Sequence, residues 1–163
     1  MSEEFEKIVA DYQKFPTQFQ SAMLATTSLE GNPHASYAPF VMDAQKNFYI
    51  LISDLATHAS NLKATGKGSI LLIEDETKSD NIFGRKRLNF ECSITIIDRE
   101  SQEWSRIADR FQERFGKIIE VLRNLKDFNI FKLTPNEGRF VTGFAKAYKI
   151  SSEDLNNLVH VRG

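Results

Sequence analysis

The chain has 163 residues, with 21 Lys and Arg against 22 Asp and Glu, a net charge of −1 and a pI near 6.3. That length suits one domain burying roughly 70% of its unfolded surface, and the even charge offers no basic patch for nucleic acid. A single cysteine, Cys92, excludes a disulfide framework and a thiolate metal cluster. The acidic start and the lack of any apolar run near ~18 residues predict a cytoplasmic protein with no membrane insertion.

In chain order, Phe5, Ile8, Val9 and Tyr12 recur at i, i+3, i+4 and i+7, which predicts a short amphipathic helix ahead of Pro16. Two strands, 22–27 and 35–41, flank the Gly31 and Pro33 turn and read as a hairpin. A polar turn at 43–47 leads to a strand at 48–52. The small polar stretch Ser53, Asp54, Thr57, Ser60, Asn61 then enters a helix at 57–65 that Gly66-Lys-Gly68 ends, before a strand at 69–74. Residues 74–80 form an acidic turn. Leu88, Phe90, Cys92, Ile94 and Ile96 alternate with polar residues over 88–97, the period of a half-buried strand.

The strongest helical pattern is 100–125, with Ser101 as N-cap, an apolar stripe from Trp104 to Leu122, and Gly116 as a break. Strands at 129–133 and 139–150, joined by a turn at 135–138, and a short helix opening at 152–155 complete the chain. Six or seven short strands with hairpin turns and one long helix predict a mainly β, α+β barrel with packed helices.

Chemistry-bearing residues are few. No HExxH, CxxC, GxGxxG, Walker A or GxSxG motif is present, so zinc-hydrolase, dinucleotide-fold, P-loop and α/β-hydrolase readings fail. The stretch holding Ser53, His58 and Asn61 suits either a capped helix between strands or an anion held at a strand-to-helix turn. His34 reads as a surface histidine. His160 lies in an exposed tail, either inert or free to reach a metal from outside the barrel. Arg85, Lys86 and Arg87 either guard a solvated strand edge or clamp phosphate or carboxylate groups. Asp127 precedes a strand, where a turn or capping role is the default, and Trp104 belongs to the core.

Several segments fall together in a known order: Gly31-Asn-Pro-His-Ala-Ser-Tyr-Ala-Pro-Phe40, Ser53-Asp-Leu-Ala-x-His58-x-x-Asn61-Leu62, Ile82-Phe-Gly-Arg-Lys-Arg-Leu-x-Phe90, and Gly138-Arg-Phe-Val-x-Gly-Phe-Ala-Lys-Ala-Tyr148. From about Gln20 to Leu158 the chain resembles the haem-utilisation proteins of the HugZ/HutZ type, a branch of the pyridoxamine-phosphate-oxidase-like, FMN-binding split β-barrels. The resemblance implies a six-stranded Greek-key split barrel over one domain, 1–163. A helix at about 3–14 precedes the barrel at about 20–150, and a tail occupies 151–163. It also implies a homodimer with ligand sites at its interface, and haem binding with oxidative opening of the ring in some members.

It implies site residues as well. The family's axial histidine lies in the C-terminal tail, a few residues further on than this sequence runs, so either His160 takes the role, the ligand is missing, or it lies beyond Gly163. Asp127 matches the acidic residue that supports that histidine from the partner subunit, and Arg85, Lys86 or Arg87 would hold the haem propionates. Ala145 stands where the family prefers glycine. In the flavin branch, an Arg and a Lys on the second strand and an Arg-Lys pair in the next loop hold the FMN phosphate. Those positions are Ser36, Val41, His58 and Ala59 here, which lack the charge-assisted hydrogen bonds of the oxidases. Haem is therefore the favoured ligand. An FMN-dependent oxidoreductase and a non-catalytic haem carrier or storage protein are the alternatives.

Overall fold

The computed structural model describes residues 2–162. Helix α1 (Glu3–Lys14) is capped by the Ser2 side chain, which accepts from the Phe5 N–H. Three consecutive antiparallel strands follow: β1 (Ser21–Thr27), β2 (Pro33–Met42) and β3 (Phe48–Ser53). Helix α2 (Thr57–Thr65) then carries the chain back, so that β4 (Lys67–Ile73) pairs with the free side of β1. Gly66 ends α2 at φ 67°, the left-handed conformation that a helix C-cap requires. This placement of the fourth strand beside the first is a Greek key. Strand β5 (Arg87–Ile96) adds to β4, and β6 (Phe128–Gly143) adds to β5 and pairs with β3. The order β3-β2-β1-β4-β5-β6 thus closes on itself as the six-stranded barrel that the resemblance implies.

The continuous apolar run in β3 follows from burial on both faces. Phe48, Ile50 and Ile52 point into the barrel core, where Phe40, Phe90 and Phe131 meet them. Tyr49 and Leu51 point outward, beneath the apolar stripe of α3 (Gln102–Phe115), which supplies Trp104, Ile107, Ala108 and Phe111. The side-chain period of two sorts the residues of β3 between the two cores. Ser101 caps α3 through the Trp104 N–H. Gly116, at φ 81°, separates α3 from α4 (Ile118–Leu122), as its position in the apolar stripe predicts. Helix α1 closes one flank of the barrel, with Tyr12 and Phe15 against Phe140.

Three expectations are corrected. First, Pro135 to Gly138 is not a turn: β6 runs unbroken from Phe128 to Gly143. Pro135 is tolerated because it faces Cys92, where a bulge between Glu91 and Cys92 already interrupts the ladder. The chain reverses instead at Phe144-Ala145, with Ala145 at φ 62°, into β7 (Lys146–Ser151). That left-handed φ costs a residue with a Cβ about 1–2 kcal/mol, a backbone reason for a glycine preference at Ala145.

Second, residues 152–155 do not open a helix. They turn into β8 (Asp154–Val161), which pairs with β7 and brings the sheet to eight strands. The Asp154 carboxylate accepts from the Asn156 N–H, so it closes a local turn instead of starting a helix. Third, His160 is not in a free tail. It stands in β8 opposite Tyr148, and Leu158 (3% exposed) and the Leu155 carbonyl, which accepts from Tyr12 Oη at 2.6 Å, pin the strand to the core. Among the described residues, no helix is long and apolar enough to cross a membrane.

Candidate functional site

The predicted site residues fall into four places. Ser53 ends β3 opposite Phe128, which puts Asp127 just past the last rung of the β3–β6 ladder. There the Ser53 hydroxyl donates to Asp127 Oδ2 at 2.7 Å while accepting from the Leu55 N–H, and the Asp127 carbonyl accepts from the Asp54 N–H at 2.7 Å. Asp127 is half-buried, and among the described residues Ser53 supplies its only side-chain partner. Its carboxylate therefore keeps acceptor capacity for a group from outside. Beside it, Asp54 takes Lys63 Nζ at 2.6 Å and Asn129 Nδ2 at 2.8 and 2.9 Å. The hydrogen bond from Lys63, aided by Asn129 and opposed by some desolvation, holds the Asp54 carboxyl below its usual range.

The second place is the inner face of α2. His58 Nδ1 lies 2.9 Å from Ser36 Oγ on β2, and the buried Asn61 donates to the buried Thr26 on β1 at 3.1 Å. Two polar contacts thus latch the crossover helix onto the barrel. Ser36 and His58, the positions matched to flavin-phosphate cations, are spent on each other. Burial first, and the neighbouring His34 second, push the His58 imidazolium below its ordinary pKa. The N-terminus of α2 has Ala56 as its cap residue, with no side chain bonded to it. A groove of about 800 Å³ runs past Thr27, His34, Lys67, Ser69, Glu91 and Asn136 and contains none of the nine predicted residues.

Arg85, Lys86 and Arg87 form the third place, and each has a local partner. Arg85 donates from Nε and Nη2 to the Glu74 carbonyl at 3.0 and 2.6 Å and lies 3.8 Å from Glu76. Lys86 pairs with Asp11, and Arg87 donates to the Arg85 carbonyl. His160 is the fourth, exposed, its ring 5.2 Å from that of Tyr148. The register sets Leu88, Phe140, Tyr148 and His160 in one row, and Arg87, Val141, Ala147 and Val161 in the next. His160 and the cations therefore share one end of the sheet, about 14 Å apart across three strand spacings. Asp127 does not join them: Phe140 lies 13 positions beyond it, about 40 Å of strand contour.

Sequence reasoning missed two features here. One is the Asp54–Lys63–Asn129 cluster, whose members are polar residues at no telling spacing. The other is Arg99, whose guanidinium donates to the carbonyls of Phe128, Arg123 and Leu125 at 2.5, 2.6 and 2.9 Å.

A Greek-key barrel closed by six strands, with a helical crossover and two further strands beyond the barrel, defines a split-barrel protein. Residues 8–142 match the pyridoxamine 5'-phosphate oxidase family. The chain is 40% identical over 155 residues to haem oxygenase HutZ of Vibrio cholerae, covering 95% of this chain and 88% of that protein. The solved structure of HutZ, described as the haem storage protein of Vibrio cholerae, superposes with a TM-score of 0.77 at 36% identity, over 82% of this chain and 94% of that one. Campylobacter jejuni ChuZ superposes with a TM-score of 0.86 at 32% identity, over 98% of this chain and 64% of that one. The chain belongs to the HutZ type within the pyridoxamine 5'-phosphate oxidase family.

Proposed function

We propose that this protein binds haem for haem and iron utilisation, as a homodimer of split-barrel domains with haem at the subunit interface, and opens the ring oxidatively to release iron. The observation that carries the reading is the separation of Asp127 from His160. A carboxylate held from behind with acceptor capacity to spare, and an exposed imidazole, stand at opposite ends of β6 in one chain. A second copy related by a two-fold axis supplies each with the other. The 40% identity to a haem oxygenase supports the same assignment.

Bound haem would supply the iron at which oxygen is activated and the ring that is attacked. His160 would ligate the iron through one ring nitrogen. Asp127 of the partner subunit would accept the other ring N–H, fixing the imidazole's orientation and raising its basicity. Arg85, Lys86 and Arg87 would exchange their internal partners (the Glu74 carbonyl and Glu76, Asp11, and the Arg85 carbonyl, respectively) for the propionates, which Arg binds as a fork.

An absorption spectrum with one equivalent of haemin tests this. A Soret band should form in the wild type, decay on adding reductant and air, and be displaced in His160→Ala and Asp127→Ala. A Soret band that persists under reductant and air makes the protein a haem store. A flavin band in the blue with no haem uptake assigns the barrel to FMN. Wild-type spectra and turnover in both variants remove the proposed ligand pair.

A further inference from the structure

Arg99 lies two residues past the buried Ile97 that follows β5. Its guanidinium gathers three main-chain carbonyls, those of Arg123, Leu125 and Phe128. These carbonyls belong to the last turn after α4 and the link into β6, and they lie on both sides of Asp127 in the chain. Carbonyls left over at a helix end need donors, and one planar fork satisfies three of them at once. Below the fork lies Trp104, 6% exposed, with the guanidinium carbon 4.5 Å from its ring centroid. The indole N–H of Trp104 has no partner among the described residues, so the ring contributes its face to Arg99 and not its polar edge.

At its start the link from 123 to 128 is also held by Arg123, which donates to Asp109 and Gln112 at 2.8 Å, and by Asn124, whose side-chain amide donates to the Glu120 carbonyl at 2.6 Å. Beyond them its hold is weaker. Lys126 is exposed, Leu125 is 40% exposed, and the tight-turn hydrogen bonds from the N–H groups of Asn124, Leu125 and Phe128 are 3.1 to 3.2 Å long. The Ser53 hydroxyl and the Asp54 N–H hold Asp127 from the barrel side. Arg99 holds its flanks from the α3 side. A carboxylate that must meet an imidazole from another subunit gains from arriving in one fixed orientation.

We propose that Arg99 is a positioning residue for Asp127: its fork, seated on Trp104, fixes the segment 123–128 so that the Asp127 carboxylate is presented to the partner subunit in one orientation. The inference rests on the role assigned to Asp127 above. It concerns a residue that acts through the backbone that carries the acid.

The test uses Arg99→Lys, which keeps the charge and loses the fork, with Arg99→Met as a second variant that keeps the stem on Trp104. Asp127→Asn and the double variant Arg99→Lys/Asp127→Asn complete the set. In ligand-free protein, hydrogen exchange at the amides of Leu125 and Phe128 should accelerate at least about tenfold in either Arg99 variant. Exchange in the middle of α3 should stay at the wild-type rate. In haem-loaded protein, the pH midpoint of the Soret transition should move in Arg99→Lys in the same direction as in Asp127→Asn. The double variant should match Asp127→Asn alone, because a residue that acts only through another is not additive with it.

Unchanged exchange in both Arg99 variants overturns the proposal, and so does a double variant whose shift is the sum of the two. If exchange accelerates but Asp127→Asn leaves the Soret midpoint at the wild-type value, the role of Asp127 has failed. The positioning proposal then falls with it, for a reason distinct from the failure of the clamp.

Discussion

His58 is half-buried with its Nδ1 against Ser36, in surroundings that favour the neutral ring. Burial is the main cause of its depressed pKa and His34 the lesser one. The unfolded chain, whose histidines titrate near 6.5, therefore binds more protons than the folded one just below that pH, and stability rises with pH there. The latch of α2 is at full strength above about pH 6.5 and weakens as pH falls through the unfolded pKa towards the lower folded one. The melting temperature should drop between pH 8 and pH 5.5, and His58→Gln should flatten that dependence; an equally steep dependence in the variant would exclude His58 as its source. Cys92 gives the opposite case, a group whose chemistry the fold switches off. Burial, with Glu91 adding to it, pushes its thiol up to about 12, and only 3% of the residue is exposed. A disulfide reagent at pH 8 should label it only at the rate of global unfolding, and rapid stoichiometric labelling of native protein would contradict the burial.

At the scale of elements, Gly138 on β6 is a position where a methyl group has no room. A Cβ there would stand 2.5 Å from the Phe90 ring and 2.6 Å from the Asn89 carbonyl oxygen, and Phe90 is fully buried. The ring and the backbone cannot both yield. Gly138→Ala should cost about 1–3 kcal/mol and lower the melting temperature by about 2–10 °C; an unchanged melting curve would show that β5 and β6 can separate locally without loss. This glycine also shows where a sequence misleads. Beside Pro135 and Asn136 it reads as part of a turn, yet it is small because a phenylalanine lies across it, and the bulge that excuses Pro135 shows only in the register with β5, which leaves Asn136 unpaired. The barrel strands from β1 to β5 and helices α1 to α3 were legible because their cues are local: apolar runs or periods bounded by polar turns, Gly and Pro. β8 was not: its polar run Asn156-Asn157 has no alternation, and what makes it a strand is the edge that β7 offers and the anchoring of Leu158. In the candidate site, the residue types were legible and their grouping was not. The bond between Ser53 and Asp127 spans 74 positions, which only the closure of β3 on β6 brings together.

At the scale of the whole molecule, one chain cannot bring Asp127 to His160, since β6 separates them by about 40 Å of contour. Two chains can do so in an arrangement whose logic is testable without a structure of the assembly. In a mixed dimer, one subunit carries Asp127→Ala and the other His160→Ala. If the pair forms across the interface, the intact His160 of the first subunit meets the intact Asp127 of the second, and the other site loses both residues. Such a dimer should bind one haem with the wild-type Soret band and ferrous spectrum, about half the wild-type loading, although each variant alone gives an altered spectrum. If the pair formed within a subunit, every site of the mixed dimer would lack one member and no wild-type spectrum would appear. Differently tagged subunits, co-expressed and purified through both tags, give the mixed dimer free of the parents. A wild-type signal at half loading would thus establish both the two-chain site and the identity of its two residues; its absence, in a dimer shown to be mixed, would separate Asp127 from the haem iron.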